Sequence, residues 1–318
     1  MPETAVLLAT YNGASFLGDQ LDSLRKQIYR DFLLLARDDG SRDSSLSLLA
    51  EFCKYSDGIT CGLLDSGGSN LGACQSFGHL LEHALAQHTD VKYFAFCDQD
   101  DWWLPGKLES LTAEMRRQEA LNPRTPIMVR SDVAVVDANL QTIAPSYWRK
   151  QRLDPSERRL TRLVLRNTTV GCSMMINREL AALASPFPRE AVMHDWWITL
   201  VAAAVGQIGS LSSSLVLYRQ HSSNALGVGV PGFMRVLSPR HWRERILNTH
   251  DWSAGRPFEQ ADALRKRLSG RVSGGNGKAL DQIADFAEFS GWKKRYRMIR
   301  AGIFPRDPVR FAGMMIKL

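Results

Sequence analysis

Four short apolar runs in the amino-terminal third each break off into a polar loop, and segments of helical period separate them. The runs cover residues 5–9, 32–36, 59–64 and 93–97. Between and after them, Leu17, Leu21 and Leu24 mark one helical face, and Leu46, Leu49 and Phe52 a second. Phe77, Leu80, Leu81, Ala84 and Leu85 mark a third, and Leu108, Leu111 and Met115 a fourth. Strands alternating with helices of this length predict an α/β fold built on a parallel sheet, because right-handed crossovers return each strand in the same direction. Ligands of such sheets bind beyond the carboxyl ends of the strands. The four loops therefore predict one crevice, supplied by Tyr11, Asp38, Asn70 and an acidic cluster that begins at Asp98.

That cluster is Asp98-Gln99-Asp100-Asp101, directly after the aromatic-rich run that ends at Cys97. Crowded carboxylates repel one another and persist mainly where a cation neutralises them. Hard oxygen ligands at an open site suit Mg²⁺ or Mn²⁺, which in turn hold phosphates. A solvated acidic turn capping the next helix is the bland alternative. A second acidic turn, Arg37-Asp38-Asp39-Gly40-Ser41, is placed in the same way after an earlier run and favours the metal-and-phosphate reading. Asn70 with Gly72 fits a loop that approaches a nucleotide closely, or an ordinary turn.

Taken in order, the loops carry a resemblance. Ala9-Thr10-Tyr11-Asn12-Gly13, Asp38-Asp39-Gly40-Ser41-Arg42-Asp43, Asn70-Leu71-Gly72 and Asp98-Gln99-Asp100-Asp101 resemble the motifs of family 2 glycosyltransferases. His194-Asp195-Trp196-Trp197 and Tyr218-Arg219-Gln220-His221 extend the likeness, which covers about residues 4–227. The run from Cys97 to Leu108 and the Gln-His-Ser-Ser-Asn stretch from Gln220 are most similar to the bacterial rhamnosyltransferase-like branch.

The resemblance implies a GT-A fold, with a mostly parallel central sheet flanked by helices. It also implies a nucleoside-diphosphate sugar donor, a divalent metal (Mg²⁺ or Mn²⁺) and inversion at the anomeric carbon. By the same resemblance Asp98 and Asp100 are metal ligands, His221 closes on the metal or diphosphate, and Asp195 is the catalytic base. Thr10, Tyr11, Asn12, Asp38, Asp39, Asn70, Gly72, Asp98 and Gln99 are implied as donor-binding residues.

Each role has a plainer alternative. Tyr11 would stack on the base and Asp38 would accept from a base N–H; otherwise they are a strand-end aromatic and a turn-forming carboxylate. Asp101 would orient the turn or cap the next helix. Asp195 opens the apolar stretch 196–205, where a plain helix cap is the alternative to a base. His194 stands where many relatives carry Glu, and no role is assigned to it. Arg219 and Gln220 are placed to meet phosphate or acceptor, since guanidinium recognises phosphate well. Of Trp102, Trp103, Trp196 and Trp197, one is expected to reach the acceptor and the rest to be core.

A length of 318 residues suits one large α/β domain plus an appendage. Cys53, Cys61, Cys74, Cys97 and Cys172 are odd in number and lack C-x-x-C spacing, which predicts reduced thiols in the cytoplasm. There is no signal-peptide pattern, and no window approaches the roughly 20 consecutive apolar residues of a spanning helix.

Charge is distributed unevenly. Residues 1–218 hold 21 Lys and Arg against 25 Asp and Glu, whereas residues 219–318 hold 19 against 8. In the tail, Trp242, Ile246, Leu247, Trp252, Phe286, Phe289, Trp292, Tyr296 and Ile299 stand at helical intervals among basic residues. This pattern predicts an interfacial helix on an anionic membrane surface, with residues 304–318 as a further shallow anchor. A solvated face is the alternative, and nucleic acid is disfavoured because no nucleic-acid motif is present. Glycines at 227, 229 and 232 place a boundary near 230, dividing a catalytic domain (1–230) from a helical, basic extension (231–318).

The expectation is a metal-dependent, inverting glycosyltransferase on the inner face of the plasma membrane. It would move L-rhamnose from dTDP-rhamnose to a lipid-linked or nascent surface polysaccharide. A UDP-hexose-dependent transferase of the same fold is the rival among enzymes. A non-catalytic nucleotide-sugar-binding assembly subunit is the rival from another class.

Overall fold

Burial explains why the apolar runs become strands. In the computed structural model, β1 (Thr4–Thr10), β2 (Phe32–Asp38) and β4 (Tyr93–Cys97) are covered on both faces, whereas β3 (Thr60–Leu64) is the half-buried edge. The structure describes residues 2–55, 58–65, 67–221, 256–272 and 274–285, with 292, 295, 296 and 299. The four strands are parallel in the order β3-β2-β1-β4, with Leu7 paired to Leu35 on one side and Phe96 on the other. Their carboxyl ends therefore share one edge, as the alternation predicts.

The helices fall where the periodicity puts them: α1 (Ala14–Arg25), α2 (Ser45–Lys54), α3 (Ala73–Gln87) and α4 (Lys107–Leu121). Leu17, Leu21, Leu24, Leu49, Phe52, Leu108, Leu111 and Met115 share one core with the inward side chains of β1, β2 and β4. Leu46 departs from expectation: it is half exposed, whereas Leu49 and Phe52 of α2 are buried in the core and Leu48 packs against it. The five thiols are not all free either. The end of α2 and the start of β3 bring the Cα atoms of Cys53 and Cys61 to 5.1 Å, and the two form a disulfide. Cys74, Cys97 and Cys172 remain as thiols.

The second half of the sheet lies outside the four apolar runs read from the sequence. It comprises β5 (Trp102–Trp103), β6 (Ile127–Val136), β7 (Thr142–Ala144), β8 (Met174–Asn177) and β9 (Gln207–Arg219). β8 joins antiparallel to β4, and β6, β9 and β5 follow in that order, with β7 on the side of β6. Six of the nine strands run in one direction, so the sheet is mostly parallel. β6 is hidden in the sequence because Arg130, Ser131 and Asp132 interrupt its apolar run, yet all three are buried. Arg130 donates to the hydroxyls of Thr168 and Thr169, each at 2.7 Å, and Asp132 accepts from the backbone N–H of Trp148 at 3.2 Å. Buried polar groups are tolerated when they are hydrogen-bonded in this way.

Three shorter helices, α5 (Tyr147–Gln151), α6 (Leu160–Leu163) and α7 (Arg178–Ala184), precede α8 (His194–Val205). A 3₁₀ turn, Gly171–Ser173, leads into β8.

The chain divides into two compact units. The first holds the whole sheet; the second takes residues 157–167 and 188–192 with the chain after His221. In the second unit α9 (Arg256–Arg267) and α10 (Gly274–Asp285) bury Phe258, Ala261, Leu264, Leu280 and Ile283. The boundary expected near 230 lies outside the described residues. So do Trp242, Ile246, Leu247, Trp252, Phe286, Phe289 and residues 304–318 of the expected membrane face. Trp292, Tyr296 and Ile299 are described, and all three are exposed.

Candidate functional site

The loops at the strand ends are tied to one another by their own polar side chains. Gln99, after β4, accepts at Oε1 from the hydroxyl of Thr10 and the backbone N–H of Tyr11, each at 2.7 Å, and its Nε2 donates to the Tyr11 carbonyl at 3.2 Å. Asn12 accepts at Oδ1 from the N–H of Arg42 at 2.8 Å, and its own N–H donates to the Ser41 hydroxyl at 2.8 Å. The free N–H groups at the start of α1 are met from the next loop: Gly13 donates to Ser45 Oγ at 2.9 Å and Ala14 to Asp43 Oδ2 at 3.0 Å. These orphan donors of a helix start would otherwise need water.

Asp38 accepts from the N–H groups of Gly40 and Ser41 and from the Ser41 hydroxyl, at 3.1, 2.8 and 2.5 Å. Its carboxylate therefore has the geometry of the turn-forming alternative. Asp39 is likewise buried. It pairs with the buried Arg37 and accepts from the N–H groups of Leu71 and Gly72 at 2.9 and 2.8 Å. Asn70 Nδ2 donates back to the Asp39 carbonyl at 3.0 Å. Gly72, with φ +76°, takes a backbone conformation that disfavours any Cβ and starts α3. Arg37 also donates to Ser76 Oγ on α3 at 2.8 Å and to the Ser69 carbonyl at 3.1 Å, so it ties the loops after β2 and β3 to α3. The sequence reading passed over Arg37; the available signal was an arginine inside an otherwise apolar strand. Tyr11, by contrast, is 47% exposed.

The acidic turn forms the floor. Asp100 Oδ2 lies 2.9 Å from Nε2 of His221, so the structure brings together these two expected metal ligands. Asp98 is half-buried, and Asp101 is fully buried. Burial, then the carboxylates of Asp101, Asp100 and Asp195, push Asp98 well above the usual carboxylate range. Burial and then Asp100 raise Asp101 to about 7. Asp195, on the first turn of α8, thus lies within electrostatic reach of Asp98 although 97 residues separate them in sequence. Its Oδ1 accepts from the N–H of Trp196 at 2.6 Å, and its carbonyl accepts from the Thr199 hydroxyl at 2.6 Å.

One oxygen of Asp101, Oδ2, accepts from no N–H or O–H group. A buried carboxylate oxygen without such a donor, among mutually repelling carboxylates, is what a cation would relieve, so the donor set fits a divalent metal. Asp98 and Asp100 supply hard oxygen for Mg²⁺ or Mn²⁺. Among the described residues, one group of three ligand side chains converges, Asp98, Asp101 and Cys172, with ligand atoms within 4.8 Å of one another.

One expectation, that for Arg219, is corrected. Arg219 is buried and spent inside the protein: it donates to Asp100 O at 2.8 Å and Asp19 Oδ2 at 2.7 Å, and its cation lies 4.7 Å from the Phe16 ring. It holds the site together and does not face a phosphate. Trp103, Trp196 and Trp197 are core, and Trp102 is half-buried with Lys26 Nζ 4.5 Å from its ring centroid. His194 is wedged between Phe77 and Phe96, at 4.1 and 5.3 Å between ring centroids, and burial lowers it to about 3. It is a neutral packing group beside Asp195. Lys107, the first residue of α4, is fully buried with Nζ 2.6 Å from the Trp103 centroid, and burial lowers it to about 7.

With this geometry in place, comparison with known proteins is informative. The sequence profile of "Glycosyl transferase family 2" matches residues 5–182. The dTDP-rhamnosyl transferase RfbG of Shigella flexneri is 24% identical over 232 residues, covering 70% of this chain and 74% of that protein. The putative teichuronic acid biosynthesis glycosyltransferase TuaG of Bacillus subtilis is 27% identical over 221 residues, covering 69% and 79%. Among solved structures, S. aureus TarS 1-349 in complex with UDP-GlcNAc superposes with a TM-score of 0.57 at 17% identity, covering 94% of this chain and 73% of that one. Mannosyltransferase PcManGT from Pyrobaculum calidifontis, in complex with GDP-Man and Mn²⁺, gives 0.53 at 15% identity, covering 99% and 84%. The fold is that of GT-A glycosyltransferases.

Proposed function

Because the chain belongs to glycosyl transferase family 2, we propose that it is an inverting, metal-dependent enzyme that transfers L-rhamnose from dTDP-rhamnose to a lipid-linked or nascent surface polysaccharide. The observation that carries this reading is the approach of Asp195 to the Asp98–Asp101 turn, which sets a candidate base against a candidate diphosphate site. The rhamnosyl donor is supported by the likeness to RfbG, and a polysaccharide acceptor by the likeness to TuaG.

In this reading Tyr11 stacks on the nucleotide base, and Asp98 meets the ribose or metal. Thr10, Asn12, Asp38, Asp39, Asn70, Gly72 and Gln99 shape the loops that receive the nucleotide. Asp98 and Asp100, with His221, would hold Mg²⁺ or Mn²⁺, which when bound neutralises charge on the diphosphate oxygens. Asp195 takes the proton of the acceptor hydroxyl. The acceptor oxygen then bonds to the anomeric carbon on the face opposite the diphosphate, and the carbon–phosphate-oxygen bond breaks with its electron pair going to the nucleoside diphosphate. Geometry to the hydroxyl matters more than a raised pKa for such a base.

Exposed Trp292, Tyr296 and Ile299 recur at intervals of four and three, so on a helix they share one face. They stand among Lys293, Lys294, Arg295, Arg297 and Arg300, which supports association with an anionic membrane surface. No helix among the described residues is long and apolar enough to cross a membrane.

The test is a thermal-shift panel of dTDP-, UDP- and GDP-sugars, each with and without Mn²⁺, because a ligand of the native state raises apparent stability. A metal-dependent shift with dTDP-rhamnose is expected. A shift with a UDP-hexose alone would replace the donor, and binding without turnover on any acceptor would indicate an assembly subunit.

A further inference from the structure

We propose that His79, His83 and His88 form a second metal site, one for a divalent transition metal such as Zn²⁺, in the groove between α3 and the edge strand β3. His79 and His83 stand one turn apart on α3, at i and i+4, and so share a face of the helix; His88 is the residue that ends it. The ring centroids of His83 and His88 are 5.9 Å apart. All three histidines line one cavity of about 350 Å³.

The fold supplies that cavity. α3 packs across β1 and β2, which leaves the flank it turns toward β3 open. On β3 the same cavity is lined by Gly62, whose missing side chain leaves room beside Leu35. A Cβ at Gly62 would stand 3.1 Å from Leu35 Cδ2.

The donor set decides the ion. Imidazole suits zinc, copper and nickel, whereas Mg²⁺ and Mn²⁺ prefer the oxygen ligands of the acidic turn. Histidine binds a metal in its neutral form, and His83 is held in that form. Burial, then the neighbouring His88 and His79, keep it below its ordinary value of 6.5. Zinc–nitrogen bonds of about 2.0–2.1 Å place tetrahedral ligand atoms roughly 3.4 Å apart, so binding draws the rings inward. His79 is exposed and His83 and His88 are half-buried, so rotation about their side-chain bonds can close the set within the cavity. Asp65, just past the end of β3, lines the same cavity and brings a negative charge to three neutral ligands. A fourth position is left for water.

The site stands without the transferase reading, since none of its residues is assigned to donor, metal or base there. The experiment is a Zn²⁺ titration of the full chain in excess Mg²⁺, with a chromogenic zinc indicator as competitor. Withdrawal of one equivalent of Zn²⁺ from the indicator is expected. His79→Ala, His83→Ala and His88→Ala should each weaken this uptake at least tenfold, while His221→Ala and Cys74→Ser leave it unchanged. Circular dichroism reports whether each variant is folded. A full chain that takes up no zinc, or a folded His83→Ala variant of unchanged affinity, overturns the proposal. Should His83→Ala misfold, unchanged affinity in His79→Ala, whose side chain is exposed, overturns it equally. Uptake lost in His221→Ala and kept in His83→Ala would assign the ion to the acidic turn and also overturn it. Donor binding is read separately in the thermal-shift panel, so failure of the zinc site leaves the transferase reading standing.

Discussion

The Nε–H of Arg219 donates to the carbonyl oxygen of Asp100 at 2.8 Å, although 119 residues separate them. The end of β9 is thereby tied to the acidic turn that ends β4. The same arginine reaches Asp19 on α1 and, through its backbone N–H, Asp101. A planar fork of donors suits this role in a way that the point charge of lysine does not.

Arg219→Met should therefore destabilise the protein by about 3 kcal/mol, since a buried guanidinium and its partners lose their mutual satisfaction. Arg219→Lys should recover only a minor part. Denaturant midpoints at constant slope check both; a Lys variant as stable as the wild type would remove the argument from fork geometry.

A Cβ on Gly13 would stand 2.2 Å from Gln99 Oε1. Gly13→Ala should thus break the Gln99 clamp on Thr10 and Tyr11 and weaken donor binding. In a Gln99→Ala background the clamp is already gone, so adding Gly13→Ala should cost little more. A double-mutant cycle reads the coupling, and strict additivity would mean that the backbone, not Gln99, excludes the methyl.

Asp195→Asn keeps the size of the side chain and removes its capacity as a base. Transfer should fall by about 10²- to 10⁴-fold, while donor affinity measured by calorimetry stays within a few-fold of wild type. A near-normal rate would assign proton removal to another group.

His194 offers a test by pH. Its ordinary value is 6.5, and burial lowers it to about 3 in the folded protein. Between these values the unfolded chain binds a proton that the native state excludes. The native state thus has its full stability above pH 6.5 and loses it as pH falls toward 3. His194→Phe removes this loss, so from pH 7 to pH 5 the wild type should lose about 2 kcal/mol relative to the variant. Parallel stability curves would show that the folded histidine takes up the proton.

Much of the site's location was legible. Apolar runs over residues 5–9, 32–36 and 93–97 predicted strands, and their alternation with helices predicted that these ends share an edge. The roles within the loops were not legible. Asp38 and Asp98 look alike as acidic residues at strand ends, yet Asp38 is satisfied by Gly40 and Ser41 while Asp98 is repelled by Asp101, Asp100 and Asp195. β6 was hidden because the partners that make its buried Arg130 acceptable, Thr168 and Thr169, lie 38 and 39 residues away.

Sequence alone determined the hydrophobic period, and with it the parallel amino-terminal sheet and the edge on which a ligand would bind, because period and crossover handedness are local properties of the chain. Only the tertiary structure decided which polar groups meet across that edge. Whether a carboxylate is satisfied, repelled or left with an oxygen that accepts from no N–H or O–H group, as Asp101 is beside Cys172, depends on hydrogen bonds and Coulomb forces between atoms that folding brings within a few ångströms.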